Sequence, residues 1–432
     1  MLPLEAVARL PTAVPPGRVL DHIPPGADLI VPMAAGEPVA TLDAIEEAAE
    51  TLEGVRVHQM HCLRDRPYLH GEFGDRLRHV SYFLSHVTRP AFHAGTIDYV
   101  PTNFSEVPAV LRDHTRMPVL VAMASPPDQH GLCSLGTNAE YVARFIGRVP
   151  VFLEINPQMP RSFGLNQVHL SQVVGFCEHE TEMPEVTPAV PDARDHAIGE
   201  LIAARIPDGA TVQTGIGAIP NAVLEALRDH RDLGIHTELL SDGIIDLVER
   251  GVVTGISKRR WPYTVVATFA LGTRRLYDWM HDNAGVHMLP VDLVNDPRRI
   301  GTEPNFVSIN ATTEVDLYGQ CASETVAGRY YSGSGGQADF ARGAMFSEGG
   351  RAFVVLHSTT RDGRSRIRPI LTPGSVVTTL KNTVDHVVTE YGVADLRGRT
   401  MAERARALIE VAHPEHRADL EREALEWDFF AR

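Results

Sequence analysis

The sequence predicts an α/β protein built of two similar open domains with largely parallel sheets, a tandem pseudo-repeat. Three observations carry this. One strand–turn–helix–strand pattern occurs twice along the chain, an acidic proline-rich stretch lies between the copies, and further short apolar runs bounded by turn residues fill both halves. The chain has 432 residues, long for a single core, so two domains are expected.

The first copy starts at Ile23 as Ile-Pro-Pro-Gly-Ala-Asp-Leu-Ile-Val, then passes through Pro-Met-Ala-Ala-Gly-Glu-Pro into Val39 and an amphipathic segment. The second starts at Ile206 as Ile-Pro-Asp-Gly-Ala-Thr-Val-Gln-Thr, then passes through Gly-Ile-Gly-Ala-Ile-Pro into Asn221. Each reads as a strand, a small-residue turn and a proline near a helix start. A further strand follows in both, Val55–His58 and Gly234–His236. Between the copies, Thr181–Asp192 holds Pro184, Pro188 and Pro191. Prolines this close forbid a regular helix or interior strand, so the domains are placed at 1–185 and 193–432. Buried strands are expected in Met117–Met123, Val149–Ile155, Arg351–Leu356 and Val384–Thr389, and closing helices in Met401–Val411 and Arg417–Trp427.

Composition narrows the function. With 55 acidic and 40 basic side chains the formal charge is −15, which argues against nucleic acid or an anionic membrane as partner. Cys62, Cys133, Cys177 and Cys321 are scattered without a C-x-x-C pair, as in a reduced cytoplasmic protein. Met1–Glu5 lacks a basic leader, and no apolar run approaches the roughly 20 residues that span a bilayer.

Chemistry concentrates in the second copy. Only there does the turn read Gly-x-Gly, Gly215-Ile216-Gly217-Ala218-Ile219, and only there does the following strand end in a carboxylate, Glu238. The glycines allow close approach of a ligand and leave N–H groups unpaired at a positive helix end. Taken alone, the turn reads equally well as a tight strand-to-helix connection, and it lacks the third glycine of a dinucleotide fingerprint. Glu238 lies one helix and one strand later, which in a parallel sheet returns it to the same carboxyl edge. The ordinary alternative is a surface carboxylate, but Ile235, Leu239 and Leu240 flank it, and Ser241-Asp242-Gly243 is expected to cap the next helix. At an ordinary carboxyl pKa it is ionised at neutral pH and serves as a nucleophile without a base. The first copy offers Met60 at about that place, so the first domain reads as structural or substrate-shaping and the second as chemical.

Ser332–Ala344 is a second glycine loop, with Gly335 and Gly336 before Gln337. It suits contact with a long ligand, while a surface loop is the alternative. Ser334 is not in a Gly-x-Ser-x-Gly elbow. His58, His61 and Cys62 match no zinc spacing, so no metal is expected. Asp128-Gln129-His130-Gly131 reads as a turn by composition, structural in the first reading and substrate-gating in the alternative.

Several ordered motifs resemble the acetyl-CoA hydrolase/transferase family, within the class I coenzyme A-transferases. They are Tyr99-Val100-Pro101 with Phe104–Pro108, Ser125–Gly131, the Gly215 loop, His236-Thr237-Glu238, Asn305–Asn310, Gly335–Phe340 and Thr389–Ala394. The resemblance implies CoA-transferase-like domains and a ping-pong exchange at Glu238 through a glutamyl-CoA thioester. Coenzyme A enters as substrate rather than cofactor. It implies that Gly215–Ile219 touch CoA and supply oxyanion N–H donors, and that Asn310, Gly335 and Gly336 touch CoA. The family's Ser-Thr-Ala-Lys stretch stands here as Ser358-Thr359-Thr360-Arg361, so Arg361 would face a CoA phosphate with altered geometry. A homodimer and short carboxylates (acetate, propionate, butyrate, 4-hydroxybutyrate) are further expectations. A hydrolase using the same glutamate and a non-catalytic CoA-binding subunit remain alternatives.

Overall fold

The computed structural model describes residues 11–426 and Phe429. The start at Met1–Glu5 and Trp427 lie outside the described residues. The chain divides into two compact units, one holding the chain up to Val100, Glu106–Glu185 and Thr268–Pro290, the other Pro101–Ser105, Val186–Ala267 and the chain from Val291. The change of unit at Glu185–Val186 falls within the proline-rich stretch, which has no regular structure until Asp192 caps the helix Ala193–Ala203.

Two short segments join the unit that lies distant in sequence, and backbone bonds explain both. The N–H groups of Ala139 and Glu140 donate to the Thr268 carbonyl at 3.0 and 3.1 Å, and Ala270 donates to Thr137 at 2.8 Å. This holds Thr268–Pro290 in the first unit. Phe104 donates to the Gly335 carbonyl at 3.0 Å, which holds Pro101–Ser105 in the second.

The first unit carries a seven-stranded sheet. From edge to edge its strands are Gly175–Glu178, Val151–Ile155, Val119–Ala124, Asp28–Ile30, Val55–Gln59, Leu77–Ser81 and Asp98–Tyr99. All neighbours are parallel. Leu29, Leu120, Val121 and Phe152 are fully buried, as in strands covered on both faces.

The second unit carries a six-stranded sheet in the order Gly234–Ile235, Thr211–Gln213, Phe306–Ala311, Arg351–Val355, His386–Thr389 and Gly392–Asp395. Only the last pair is antiparallel. Helices Met401–Glu410 and Pro414–Glu426 follow, and Leu408, Ile409 and Leu420 close a core over Val354 and Val387. The first strand of this sheet, Thr211–Gln213, has its successor Gly234–Ile235 on one side and Phe306–Ala311 on the other. The order of winding therefore reverses at Thr211–Gln213, and ligands of open α/β sheets bind outside the carboxyl ends of the strands at such a point.

Candidate active site

Three chain segments leave the second sheet at that reversal. After Gln213 the chain turns through Thr214–Gly217 into the helix Ala218–Ala226, with Gly217 at φ 126°, a conformation that favours glycine. A Cβ at Gly215 would meet nothing within 4 Å, and Ile216 is 48% exposed. The turn is thus open to a ligand at the positive end of a nine-residue helix.

The strand Gly234–Ile235 is prolonged by a bridge between His236 and Val266, with the Thr237 N–H donating to the Val266 carbonyl at 2.9 Å. The Thr237 hydroxyl donates to the Thr214 carbonyl at 2.8 Å. This bond fastens the glycine turn to the strand end immediately before Glu238.

Glu238 keeps some accessible surface while its carboxyl is surrounded by protein. Asn295 Nδ2 donates to Glu238 Oε2 at 2.8 Å, and the Gly336 backbone also hydrogen-bonds the carboxylate. Burial pushes the carboxyl pKa up to about 7, while the Asn295 and Gly336 bonds oppose that rise. The expectation of a fully ionised carboxylate at neutral pH is therefore corrected, since burial leaves it partly protonated at pH 7. Desolvation overrides the reference value because no cation among the described residues compensates it.

Gly336 precedes the helix Gln337–Phe346. A Cβ there would be driven into Glu238 Oε2 and Asn295 Nδ2, so the backbone approaches the carboxylate as only glycine allows. Gly335 adopts φ 52°. The loop is clamped from outside. Ser105 bonds Asp339 through its N–H at 3.0 Å and its hydroxyl at 2.8 Å, and Ser334 Oγ donates to the Thr102 carbonyl at 2.8 Å. This second glycine loop is packed structure.

The remaining residues singled out in the sequence fall at different distances from Glu238. Asn310 is the penultimate residue of the neighbouring strand, where its Nδ2 donates to Gln213 Oε1 at 3.0 Å and Ser308 Oγ at 2.9 Å. It thus sits one residue from the glycine turn on the adjoining strand. Arg361 lies on an exposed turn between Thr360 and Arg364, past the carboxyl end of Arg351–Val355. Glu390 holds the base of that stretch by accepting from the Ser358 N–H at 2.9 Å and hydroxyl at 2.8 Å.

The expected cap at Ser241-Asp242-Gly243 takes a different form. Helix Gly243–Glu249 starts after Asp242, whose side chain makes no capping bond. His58 bonds Asp28 and Tyr82, and Cys62 Sγ bonds the Arg64 carbonyl, so these side chains have separate partners. Asp192, Asp195 and His357 do cluster, but the two carboxylates form the capping box of Ala193–Ala203, and His357 bonds Asp195 at 2.7 Å. Among the described residues no helix is long and apolar enough to cross a membrane.

Sequence reading missed Asn295. It stands in Leu-Val-Asn-Asp-Pro-Arg, which reads as an ordinary turn before a proline. The Ser105–Asp339 clamp was also missed, because its partners are 234 residues apart.

Known proteins resemble this chain over most of its length. Succinyl-CoA:cyclohexane-1-carboxylate CoA transferase of Geobacter metallireducens is 44% identical over 91% of each chain. 4-Hydroxybutyrate coenzyme A transferase of Clostridium kluyveri is 41% identical over 90% of this chain and 91% of its own. The crystal structure of RipA from Yersinia pestis superimposes with a TM-score of 0.92 at 35% identity, covering 97% of this chain and 98% of the other. Residues 15–190 match the acetyl-CoA hydrolase/transferase N-terminal domain and 272–424 the C-terminal domain, and with both halves matched the chain belongs to the acetyl-CoA hydrolase/transferase family.

Proposed function

We propose that the protein transfers coenzyme A between an acyl-CoA and a short-chain carboxylate, with Glu238 as the nucleophile. The observation that carries this reading is the setting of Glu238. One carboxylate oxygen faces an amide N–H of Asn295 and the backbone of Gly336, beside the open Gly215 turn.

The Glu238 carboxylate attacks the thioester carbonyl, and the C–S bond breaks to give an acyl-glutamyl anhydride and CoA thiolate. The thiolate then attacks the Glu238 carbonyl carbon, forming the glutamyl-CoA thioester and releasing the donor acid. An acceptor carboxylate reverses both steps. Thioester energy stays on the enzyme, so the exchange balances without ATP. Oxygen gains negative charge on the glutamyl carbon in two of these steps. Asn295 Nδ2 and the Gly336 N–H are the donors for it; one such donor is worth about 3–4 kcal/mol. The N–H groups of Gly215–Ile219 and Asn310, Gly335 and Arg361 are assigned to CoA, whose remote binding energy drives the reacting centre.

Transferase is preferred to hydrolase because a glutamyl thioester is useful only where water is kept from it. The relatives that match across nine-tenths of their length carry transferase names. Their names differ in the acid, since one pairs succinyl-CoA with cyclohexane-1-carboxylate and the other names 4-hydroxybutyrate, so short-chain carboxylates are proposed as a class and no single acid is chosen. Incubation with acetyl-CoA, propionyl-CoA or succinyl-CoA, borohydride treatment and peptide mapping test the mechanism. A reduced or CoA-bearing Glu238 is the expected product. CoA release without any acceptor, at the rate seen with one, would identify a hydrolase. Full turnover by Glu238→Ala would overturn the nucleophile assignment.

A further inference from the structure

His236 lies two residues before Glu238 and is fully buried. Its Nε2 is 2.7 Å from the Val294 carbonyl oxygen. A carbonyl only accepts, so Nε2 carries the hydrogen and Nδ1 is a bare acceptor. Nδ1 is buried without a partner. Burial first, and the facing Lys258 and Arg260 in addition, push the ring's pKa down to about 3 despite the Val294 bond. The imidazole is therefore neutral and a poor base at any working pH, so proton transfer is not its role.

Its bond is placed where it matters for Glu238. Val294 immediately precedes Asn295, whose amide donates to Glu238 Oε2 at 2.8 Å. The same ring packs edge-on against Phe340 at 6.5 Å between centroids, and Phe340 lies in the first turns of the helix that begins after Gly336. It also contacts Phe306 and Trp261 at 5.9 and 6.0 Å. One side chain thus touches the strand end bearing the carboxylate, the backbone bearing one donor and the helix presenting the other.

We propose that His236 is a positioning residue for the reaction, holding Asn295 and the Gly336 helix start in register with the Glu238 carboxylate. This rests on the reading of Glu238 as nucleophile, and the test separates the two. His236→Phe keeps the aromatic packing and removes the N–H, while His236→Gln keeps an amide N–H near the Nε2 position. His236→Leu serves if the larger ring is not accommodated.

The phenylalanine variant should lose roughly 10²-fold in kcat, the cost of a misplacement near 1 Å, with KM for acyl-CoA nearly unchanged. Its pH midpoint for glutamyl adduct formation should move upward, because Asn295 favours the charged carboxylate and would no longer be held to it. His236→Gln should recover most of both. In an Asn295→Ala background, His236→Phe should cost little more, since the two act through one contact. An unchanged kcat and midpoint in His236→Phe would overturn the proposal. So would a His236→Gln as slow as His236→Phe, or full additivity with Asn295→Ala. If Glu238→Gln still forms the adduct and turns over, the nucleophile reading itself fails, whatever His236 does.

Discussion

The two units carry the same strand–turn–helix–strand element, and they treat its turn in opposite ways. Pairing registers align them. Asp28 faces Arg56 in the first and Thr211 faces Gly234 in the second, which sets Val57-His58-Gln59-Met60 against Ile235-His236-Thr237-Glu238. Even the fastening of the turn is shared. Gln59 donates to the Pro32 carbonyl at 3.1 Å, where Thr237 donates to that of Thr214.

The filling differs. In the first unit the Met33 N–H is taken by Glu140 at 3.0 Å, and a Cβ on Gly36 would come within 2.6 Å of Asn138 Oδ1. Glu37, beside that turn, is paired with Arg66 at 2.7 Å. Glu140 is fully buried, and desolvation raises its pKa to about 8. It is an acid enclosed in the packing of the first unit. In the second unit the corresponding turn is two glycines and an exposed isoleucine, and the carboxylate belongs to a residue just past the end of the next strand that keeps some accessible surface. One supersecondary element yields a plugged turn or a site according to which side chains occupy it, as functional sites grafted on folds do.

The comparison is broken most severely at Glu238. Glu238→Gln should lower exchange by roughly 10⁴-fold or more, as for removal of a nucleophile, measured as labelled carboxylate entering acyl-CoA. The converse change, Met60→Glu, should create no activity when placed in Glu238→Gln. Met60 is 2% exposed, so an unpaired carboxyl there should lower the thermal midpoint, at a cost of several kcal/mol at neutral pH. Activity in that double variant would mean that the filled turn of the first unit is not what silences it.

Next in size is Gly336→Ala. Its Cβ would displace both Glu238 Oε2 and Asn295 Nδ2, and loss of the aligned donors should cost roughly 10²–10³-fold in kcat. Circular dichroism and the thermal midpoint should move little by comparison. Alanine at Gly215 meets open space and should raise KM for acyl-CoA more than it lowers kcat.

The pH dependence sharpens the contrast between the two buried acids. Attack requires ionised Glu238, so adduct formation should rise through pH about 7 and fall about tenfold per unit well below it. Stability follows the opposite sign. The folded pKa is raised from 4.5, so this group's favourable contribution is full below about 4.5 and is lost as pH climbs through 7. Glu238→Gln escapes that loss and should be the more stable protein at pH 8, by at most about 3 kcal/mol. Denaturant unfolding at pH 5 and pH 8 measures it. An equal difference at both pH values would show that Glu238 titrates normally.

What the sequence made legible follows from what is local. Both turns, their helices and the strand ending in Glu238 are contiguous, and periodicity with glycine and proline placement exposes them. The sheet-edge argument then brought Glu238 to the Gly215 turn, joined in the structure through Thr237. Contacts made at long range were invisible. Asn295 lies 57 residues from Glu238 in a segment with no motif, and Ser105 reaches Asp339 from the other half of the chain. The pKa of Glu238 was misjudged for the same reason, since desolvation is a property of packing. The exchange of Pro101–Ser105 and Thr268–Pro290 between units likewise rests on backbone bonds that no composition shift announces.

The smallest effect is expected at Arg361. The residue is exposed on the turn from Thr360 to Arg364, where a charge acts on a phosphate through high-dielectric, salt-screened surroundings. Arg361→Ala should therefore raise KM for acyl-CoA only a few-fold, the size of a surface ion pair worth about 0.5–1 kcal/mol, and the effect should fade at 0.5 M salt. Arg361→Lys should be nearly silent, because an exposed point charge does not use the guanidinium fork. Binding of dephospho-CoA, which lacks the 3′-phosphate, supplies the sharper arm. If Arg361 faces that phosphate, Arg361→Ala should weaken CoA but leave dephospho-CoA unchanged. Equal weakening of both ligands would place the charge elsewhere along CoA, and no weakening of either would confine recognition to the glycine loops around Glu238.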